Sequence, residues 1–355
     1  MPELRIDVEA IGTNTEAVAA LLRAHDLDLV AVTKGCLGDP QVAGAMLVGG
    51  AVALADTRDA NLRRLRAAFP RVELHRIHLP SLAEPFEPGD VSYVSCREGA
   101  AAVAAVSQKG GDTHVARALG PNRSQEFPRL PEPRRVMIMV ETGDEREGVP
   151  PNGLFGLALE IAQHPGLQLE GVATNYACFR GRSEGIRESV QTVVRAAGAL
   201  RAAGHPVERV SGGNSSLLAL LVDGEDLPAA VTELRCGEAL LLGQDALFYR
   251  PLPGCRQDAC VIRTEVIEEY TRPAAGGSRL RLVLGVGRQD LGWGEVRFDR
   301  PGLREIGRSA DYLVVEVDEG RPGISPGMTI DMIPAYEALV AAWTSPYVEV
   351  KLLNR

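Results

Sequence analysis

Along the first 250 residues, short runs rich in apolar and β-branched residues alternate with longer stretches in which alanine and leucine recur at helical spacing. The runs are Leu27–Thr33, Ala51–Ala55, Val72–His78, Val91–Ser95, Val136–Glu141, Leu167–Thr174, Val207–Ser211 and Val231–Arg235. Between them the periodicity predicts helices near Asn14–His25, Pro40–Gly49, Thr57–Phe69, Arg97–Gln108, Asn152–Gln163, Ser183–Ala203 and Ser215–Leu221. Thr57 and Ser215 stand where N-caps are expected, and His164-Pro165-Gly166 and Gly204-His205-Pro206 mark stops. Strands alternating with helices imply parallel pairing. Eight such units suit a closed (β/α)8 barrel of the TIM type, with a doubly wound open sheet as the other architecture.

After Arg250 the texture changes. Helical periodicity almost vanishes, and Gly/Pro punctuation separates alternating runs at Ala259–Val266, Leu280–Val286 and Tyr312–Val317. This divides the chain into a barrel over residues 1–250 and a smaller β-rich C-terminal domain over 251–355. Gly110–Arg135, a β-like run followed by a Pro- and Arg-rich loop, reads as an excursion between the fourth and fifth strands.

Composition narrows the partners. The 355 residues are 45% hydrophobic and 24% charged, as in ordinary globular proteins. Their net charge of −9 disfavours nucleic acid or an anionic membrane as a partner. No apolar run reaches membrane-spanning length, and the charged start MPELRIDVEA does not resemble a secretory signal. The six cysteines are scattered without zinc spacing, so a reducing, cytoplasmic setting with no metal centre is expected. Only three of the 38 basic residues are lysines, which makes a lysine inside an apolar stretch conspicuous.

Lys34 is that lysine, at the end of LDLVAVTK. The C-terminal ends of barrel strands build the active site, and a partly buried lysine there is a candidate Schiff-base amine. Its bland reading is a strand-end side chain reaching solvent. Ser211-Gly212-Gly213-Asn214-Ser215-Ser216 follows the seventh run and opens a helix, an arrangement that offers backbone N–H groups to a phosphate. It could also be a plain capped turn. Arg235 ends the eighth run and Arg146 follows the fifth; each could instead serve an ion pair, Arg235 with Glu233 or Glu238. Asn175 and Cys178 follow the sixth run, where amides and thiols are commonly structural. Lysine after strand one, phosphate donors after strand seven and arginine after strand eight together describe a barrel for pyridoxal 5'-phosphate.

At this point the chain resembles the alanine-racemase-type (fold type III) pyridoxal-phosphate enzymes, nearest their ornithine racemase-like branch. The stretches AVTKGCLGDP, MIMVETGDEREGV, GVATNYACF, VSGGNSSLL, ELRCGEALLLGQD, GVGRQDLG, SADYLVVEV and YEALVAAWTSPYV carry the likeness in family order. The resemblance implies that Lys34 holds the cofactor aldehyde and that Arg235 faces the pyridine nitrogen, leaving it unprotonated. It implies that Asn214, Ser215, Gly237, Glu238 and Tyr336 hold the phosphate, and that Arg146 buttresses the phenolic oxygen. Asn175 stands with the cofactor-binding residues, where the family carries histidine. Ala310 and Asp311 match the turn that meets the substrate carboxylate, from the partner subunit of a homodimer.

Two departures stand out. Gly38 occupies the place of the tyrosine in the family's Lys-x-x-x-Tyr pattern. The second proton carrier that racemisation needs has no clear counterpart; Tyr270 is the nearest candidate and Cys178 a weaker one. The resemblance therefore implies a racemase of a free amino acid, α-proton abstraction by Lys34, and a basic substrate such as ornithine or lysine. Asp144, Glu145 and Asp290 are candidates for meeting its cationic side chain. A pyridoxal-phosphate lyase of the D-threonine aldolase or D-serine dehydratase kind, and a non-catalytic cofactor-binding protein, are the alternatives.

Overall fold

The computed structural model describes residues 1–110, 133–177, 184–274, 277–318 and 323–353. Most of the Gly110–Arg135 excursion, and Cys178, lie outside the described residues. The chain opens with β1 (Glu3–Asp7), whose Asp7 side chain accepts from Ala10 N–H at 2.9 Å and starts the helix Val8–Arg23. Eight parallel strands then close a barrel: β2 (Asp28–Val32), β3 (Ala53–Asp56), β4 (Leu74–Arg76), β5 (Val91–Val94), β6 (Arg134–Met139), β7 (Leu167–Ala173), β8 (Arg209–Asn214) and β9 (Glu233–Cys236). β9 pairs back onto β2, with Val30 opposite Arg235. The closed sheet, and not the open one, is the architecture.

Barrel strands are covered on both faces, so they read as apolar runs. The inside is nevertheless ionic at its N-terminal end. Glu73, Arg135, Glu170, Arg209 and Glu233 interlock there, with Arg209 3.0 Å from Glu170 and 3.8 Å from Glu233. Arg135 meets Glu73 at 2.7 Å, and His75 meets it at 2.8 Å. Burial pushes the Glu73 carboxyl up, but hydrogen bonds from His75, Arg209 and Arg135 outweigh it and hold Glu73 well below the usual carboxylate range.

Two expected caps fall to neighbours. Arg58, not Thr57, stands at the cap of the helix Asp59–Ala68, without a side-chain hydrogen bond; Asp56 Oδ1 braces the turn before it, accepting from the N–H groups of Thr57 and Arg58 and from Asn61 Nδ2. Asn214, not Ser215, accepts from Ser216 N–H at 2.7 Å. The longer planar amide of Asn214 reaches that free N–H group, which leaves the Ser215 hydroxyl for other partners.

The second sheet comprises β10 (Cys260–Ala274), β11 (Gly277–Leu284), β12 (Val296–Phe298), β13 (Leu303–Arg308), β14 (Leu313–Val317), β15 (Thr329–Pro334) and β16 (Glu349–Leu353). Its main order is β12-β15-β10-β11-β14-β13. β1 joins it, antiparallel to β10 and parallel to β16. By hydrogen bonding, then, residues 3–7 belong with the second sheet, although the sequence division at 250 groups them with the barrel. Leu4 and Ile6 bury fully while Glu3 and Arg5 face outward, the alternation of a half-buried strand. The helix Tyr336–Thr344, between β15 and β16, packs beside the segment that carries Lys34.

Candidate active site

A cavity of about 410 Å³ opens at the C-terminal mouth of the barrel. Among its lining residues are Lys34, Arg146, Asn175, Asn214, Ser215, Arg235, Gly237, Glu238 and Tyr336. These are the residues singled out for Schiff-base and cofactor contacts, brought together from five strand ends and the second domain.

Lys34 begins a short 3-10 turn directly after β2. Its position is set by the residue before it. Thr33 is fully buried, and its hydroxyl donates to Asp56 Oδ2 at 2.7 Å, tying the end of β2 to the end of β3. The lysine side chain is exposed in the single chain, not partly buried as expected, and it opens into the cavity. Gly38, where the family carries tyrosine, has φ +61, and a Cβ there would stand 2.9 Å from Asn61 Cβ. This tight turn has no room for a side chain.

Arg235 lies almost buried under the cavity. It forms no ion pair with Glu233 or Glu238: it donates to Ser211 Oγ and, at 2.6 Å, to the Thr174 carbonyl. Its guanidinium carbon sits 5.1 Å from the Tyr93 ring centroid. A side-chain hydroxyl, a backbone carbonyl and a ring thus hold a planar cation in place. Ser215 Oγ accepts from Gly237 N–H at 3.3 Å and Ala239 N–H at 3.4 Å, locking together the turns after β8 and β9. A Cβ on Gly237 would stand 2.8 Å from the Val32 carbonyl, so only glycine lets that turn lie against β2.

Arg146 Nη2 lies 2.5 Å from the Asn175 amide, and because a guanidinium only donates, the Asn175 oxygen faces it. The same amide lies 2.7 Å from the Asn214 amide nitrogen. Arg146 also clasps Glu147 through Nε and Nη2. Burial pushes the Glu238 carboxyl up to about 7; Gln244 and Lys34 oppose this, while Asp245 and Glu337 add to it. Its Oε1 is buried without a hydrogen-bond partner.

Sequence reasoning missed Val32, Thr57, Ile77, His78, Leu79, Tyr93, Met139, Glu147 and Ala246, which complete the lining. Tyr93 and Met139 are members of buried clusters and read as ordinary core. His78 closes the run Val72–His78 in the sequence and so did not stand out past a strand end as Lys34 does; the strand itself ends at Arg76. Conversely, Tyr270, Ala310 and Asp311 do not line this cavity. Tyr270 pairs with Arg281 across β10 and β11 and lies under the Arg272 guanidinium. The Ala310 carbonyl accepts from Gln289 N–H, and Asp311 accepts from the Gln289 side chain. Asp144, Glu145 and Asp290 are also elsewhere: Asp144 is buried, Glu145 sits in a left-handed turn, and Asp290 caps Gly287 N–H at 2.9 Å.

No helix among the described residues is long and apolar enough to cross a membrane, and no described group of three His, Cys, Asp or Glu could hold a metal ion. Comparison with known proteins agrees with the geometry. The chain is 29% identical to the lysine racemase of Thermotoga maritima, covering 98% of this chain and 97% of that protein. It is 25% identical to the ornithine racemase of Acetoanaerobium sticklandii, covering 99% of each. The alanine racemase of Streptomyces lavendulae superposes with a TM-score of 0.71 at 18% identity, over 100% of this chain and 97% of that one. The D-threonine aldolase of Filomicrobium marinum superposes with 0.73, also at 18%, over 97% and 89%, so at this distance the likeness shows the fold alone. The description of the alanine racemase N-terminal domain matches residues 6–245, and the chain belongs to that family.

Proposed function

We propose that this protein is an amino-acid racemase that uses pyridoxal 5'-phosphate and acts on a basic amino acid. The observation that carries the reading is the convergence, in one cavity, of Lys34, a buried Arg235 and the two interlocked turns at Ser215 and Gly237. That donor set fits the cofactor: an amine for its aldehyde, a fixed cation for its ring nitrogen, and backbone N–H groups with a hydroxyl for its phosphate. Val32, Ile77, Leu79, Tyr93 and Met139 supply apolar walls for a flat ring. The lysine and ornithine racemases, similar over nearly their whole length, support the basic substrate.

In this reading Asn214, Ser215, Gly237, Glu238 and Tyr336 hold the phosphate, with Arg146 and Asn175 at the phenolic side. When bound, the cofactor supplies a conjugated ring that accepts the electron pair left when the Cα proton departs. Lys34 anchors it and then, as a free amine, moves a proton at Cα on one side. Arg235 keeps its own protons, so it gives a hydrogen bond to the ring nitrogen and no proton; this restrains side reactions such as transamination. Tyr270, Ala310 and Asp311 belong to the site only in a homodimer, in which the second sheet of one chain covers the barrel mouth of the other. The buried Cys36 and Cys236 thiols are pushed up to about 12, chiefly by burial, and are not candidates for acid–base work.

Borohydride reduction of the cofactor-loaded protein, followed by peptide mapping, tests the anchor. The reading expects the label on Lys34 and none in Lys34→Ala. Polarimetry with ornithine and lysine tests the reaction; a loaded protein that racemises neither would refute it.

A further inference from the structure

Racemisation needs a proton carrier on each side of Cα. The described residues that line the cavity offer Lys34, His78, Tyr93, Glu147, Glu238 and Tyr336 as groups able to carry a proton. Four are set aside by geometry. The Tyr93 hydroxyl points beneath the cavity, to His75 at 3.3 Å and Glu233 at 3.5 Å. Glu147 is clasped by Arg146. Tyr336 lies on the Lys34 side, its hydroxyl 3.2 Å from where a Cβ on Gly35 would be. Glu238 lies there too, following β9, which pairs directly with β2.

His78 remains. It follows β4, two barrel strands away from Lys34, with an exposed ring that lines the cavity. Its Nδ1 stands 2.7 Å from the Leu79 carbonyl oxygen. A carbonyl can only accept, so Nδ1 carries the hydrogen, and in the neutral ring Nε2 holds the free lone pair. The backbone thereby fixes the tautomer that a general base requires.

We propose that His78 is the second proton carrier, working from the side of Cα away from Lys34. This rests on the racemase reading above. The C–H bond breaks, its proton passes to His78 Nε2 or to Lys34 Nζ according to the enantiomer, and the electron pair it leaves, which the conjugated ring would share, forms the new C–H bond when the other group returns a proton. Nothing is oxidised or reduced, and no co-reactant is needed. Tyr270, the sequence candidate, would have to come from a partner chain; His78 comes from the same barrel as Lys34.

His78→Asn tests this, because the shorter amide keeps a donor for the Leu79 carbonyl and removes the base. Loading with cofactor should match wild type. In D2O, α-proton exchange should persist from one enantiomer of ornithine or lysine and fall about 100-fold from the other, with racemisation falling equally. A merely structural role would slow both enantiomers together. A second readout needs no turnover: diethyl pyrocarbonate should label His78 in the loaded wild-type protein, and α-methylornithine, which has no α-proton, should slow that labelling. The proposal is overturned if His78→Asn racemises within about threefold of wild type, if α-methylornithine leaves the labelling unchanged, or if Tyr270→Phe instead gives the one-sided loss. Wild-type protein that exchanges neither enantiomer would refute the racemase reading itself.

Discussion

The ring of Tyr336, from the second domain, packs against Gly35, the residue after Lys34, so closely that a methyl group there would stand 3.0 Å from the ring and 2.9 Å from Leu241. The residue that follows Lys34 is thus held between the two parts of the chain. Gly35→Ala should overpack this contact at a cost of about 1–3 kcal/mol. Part of that cost falls on the bound state, so cofactor affinity should drop about tenfold for each 1.4 kcal/mol. Urea unfolding with and without cofactor separates the two effects.

Arg235 spans Ser211 and the Thr174 carbonyl as a fork. Lysine has the charge but not the planar geometry. Arg235→Lys should leave one acceptor unmatched and destabilise the protein by about 1.5–3 kcal/mol, read from the denaturation midpoint.

The barrel floor should govern acid stability. Glu73 is held below its ordinary value, so the folded state binds its proton less readily than the unfolded chain. Its stabilising contribution is present above the ordinary glutamate value and is lost as pH falls below it. Glu73→Gln should weaken the protein at pH 7 by about 1.5–3 kcal/mol, since Arg135 and Arg209 lose their shared carboxylate but keep Glu170. The variant should also flatten the acid limb of its stability profile, as followed by circular dichroism.

Glu238 should act in the opposite sense. Its carboxyl is raised to about 7, so the folded state holds that proton more tightly, and stability falls as pH rises from the ordinary glutamate value through about 7. Below that point Glu238 is neutral beside the Ser215–Gly237 turns; above it, the negative charge opposes an anion there. Binding of inorganic phosphate or cofactor should weaken through this range in the wild type more than in Glu238→Gln, by isothermal titration.

Barrel strands such as β2 and β6 were legible because they are buried on both faces and carry apolar runs, Leu29–Val32 and Val136–Met139, even though charged residues break β4 and β9. β1 was not, because its five residues alternate with charges and its partners β10 and β16 lie more than 250 residues away. In the site, Lys34, Arg235 and Ser215 announced themselves by chemistry at strand ends. His78 was hidden because the apolar run was read through to residue 78, whereas β4 ends at Arg76 and leaves the imidazole at the mouth. The carboxylates considered for the substrate side chain do not line the cavity of the single chain, because charge pattern along the chain does not say which loop turns inward. Asp290 went to a cap, and Glu238, expected at the phosphate, brings a half-buried acid to the cavity.

The central claim is that this cavity moves the α-proton of a basic amino acid. The most direct measurement incubates cofactor-loaded protein with L- and, separately, D-ornithine and lysine in D2O, following the Cα proton by NMR and the enantiomer ratio by chiral chromatography. The account predicts exchange and convergence to equal enantiomers from both starting forms, abolished by Lys34→Ala. A loaded protein that leaves the Cα proton in place on every one of these amino acids would contradict it.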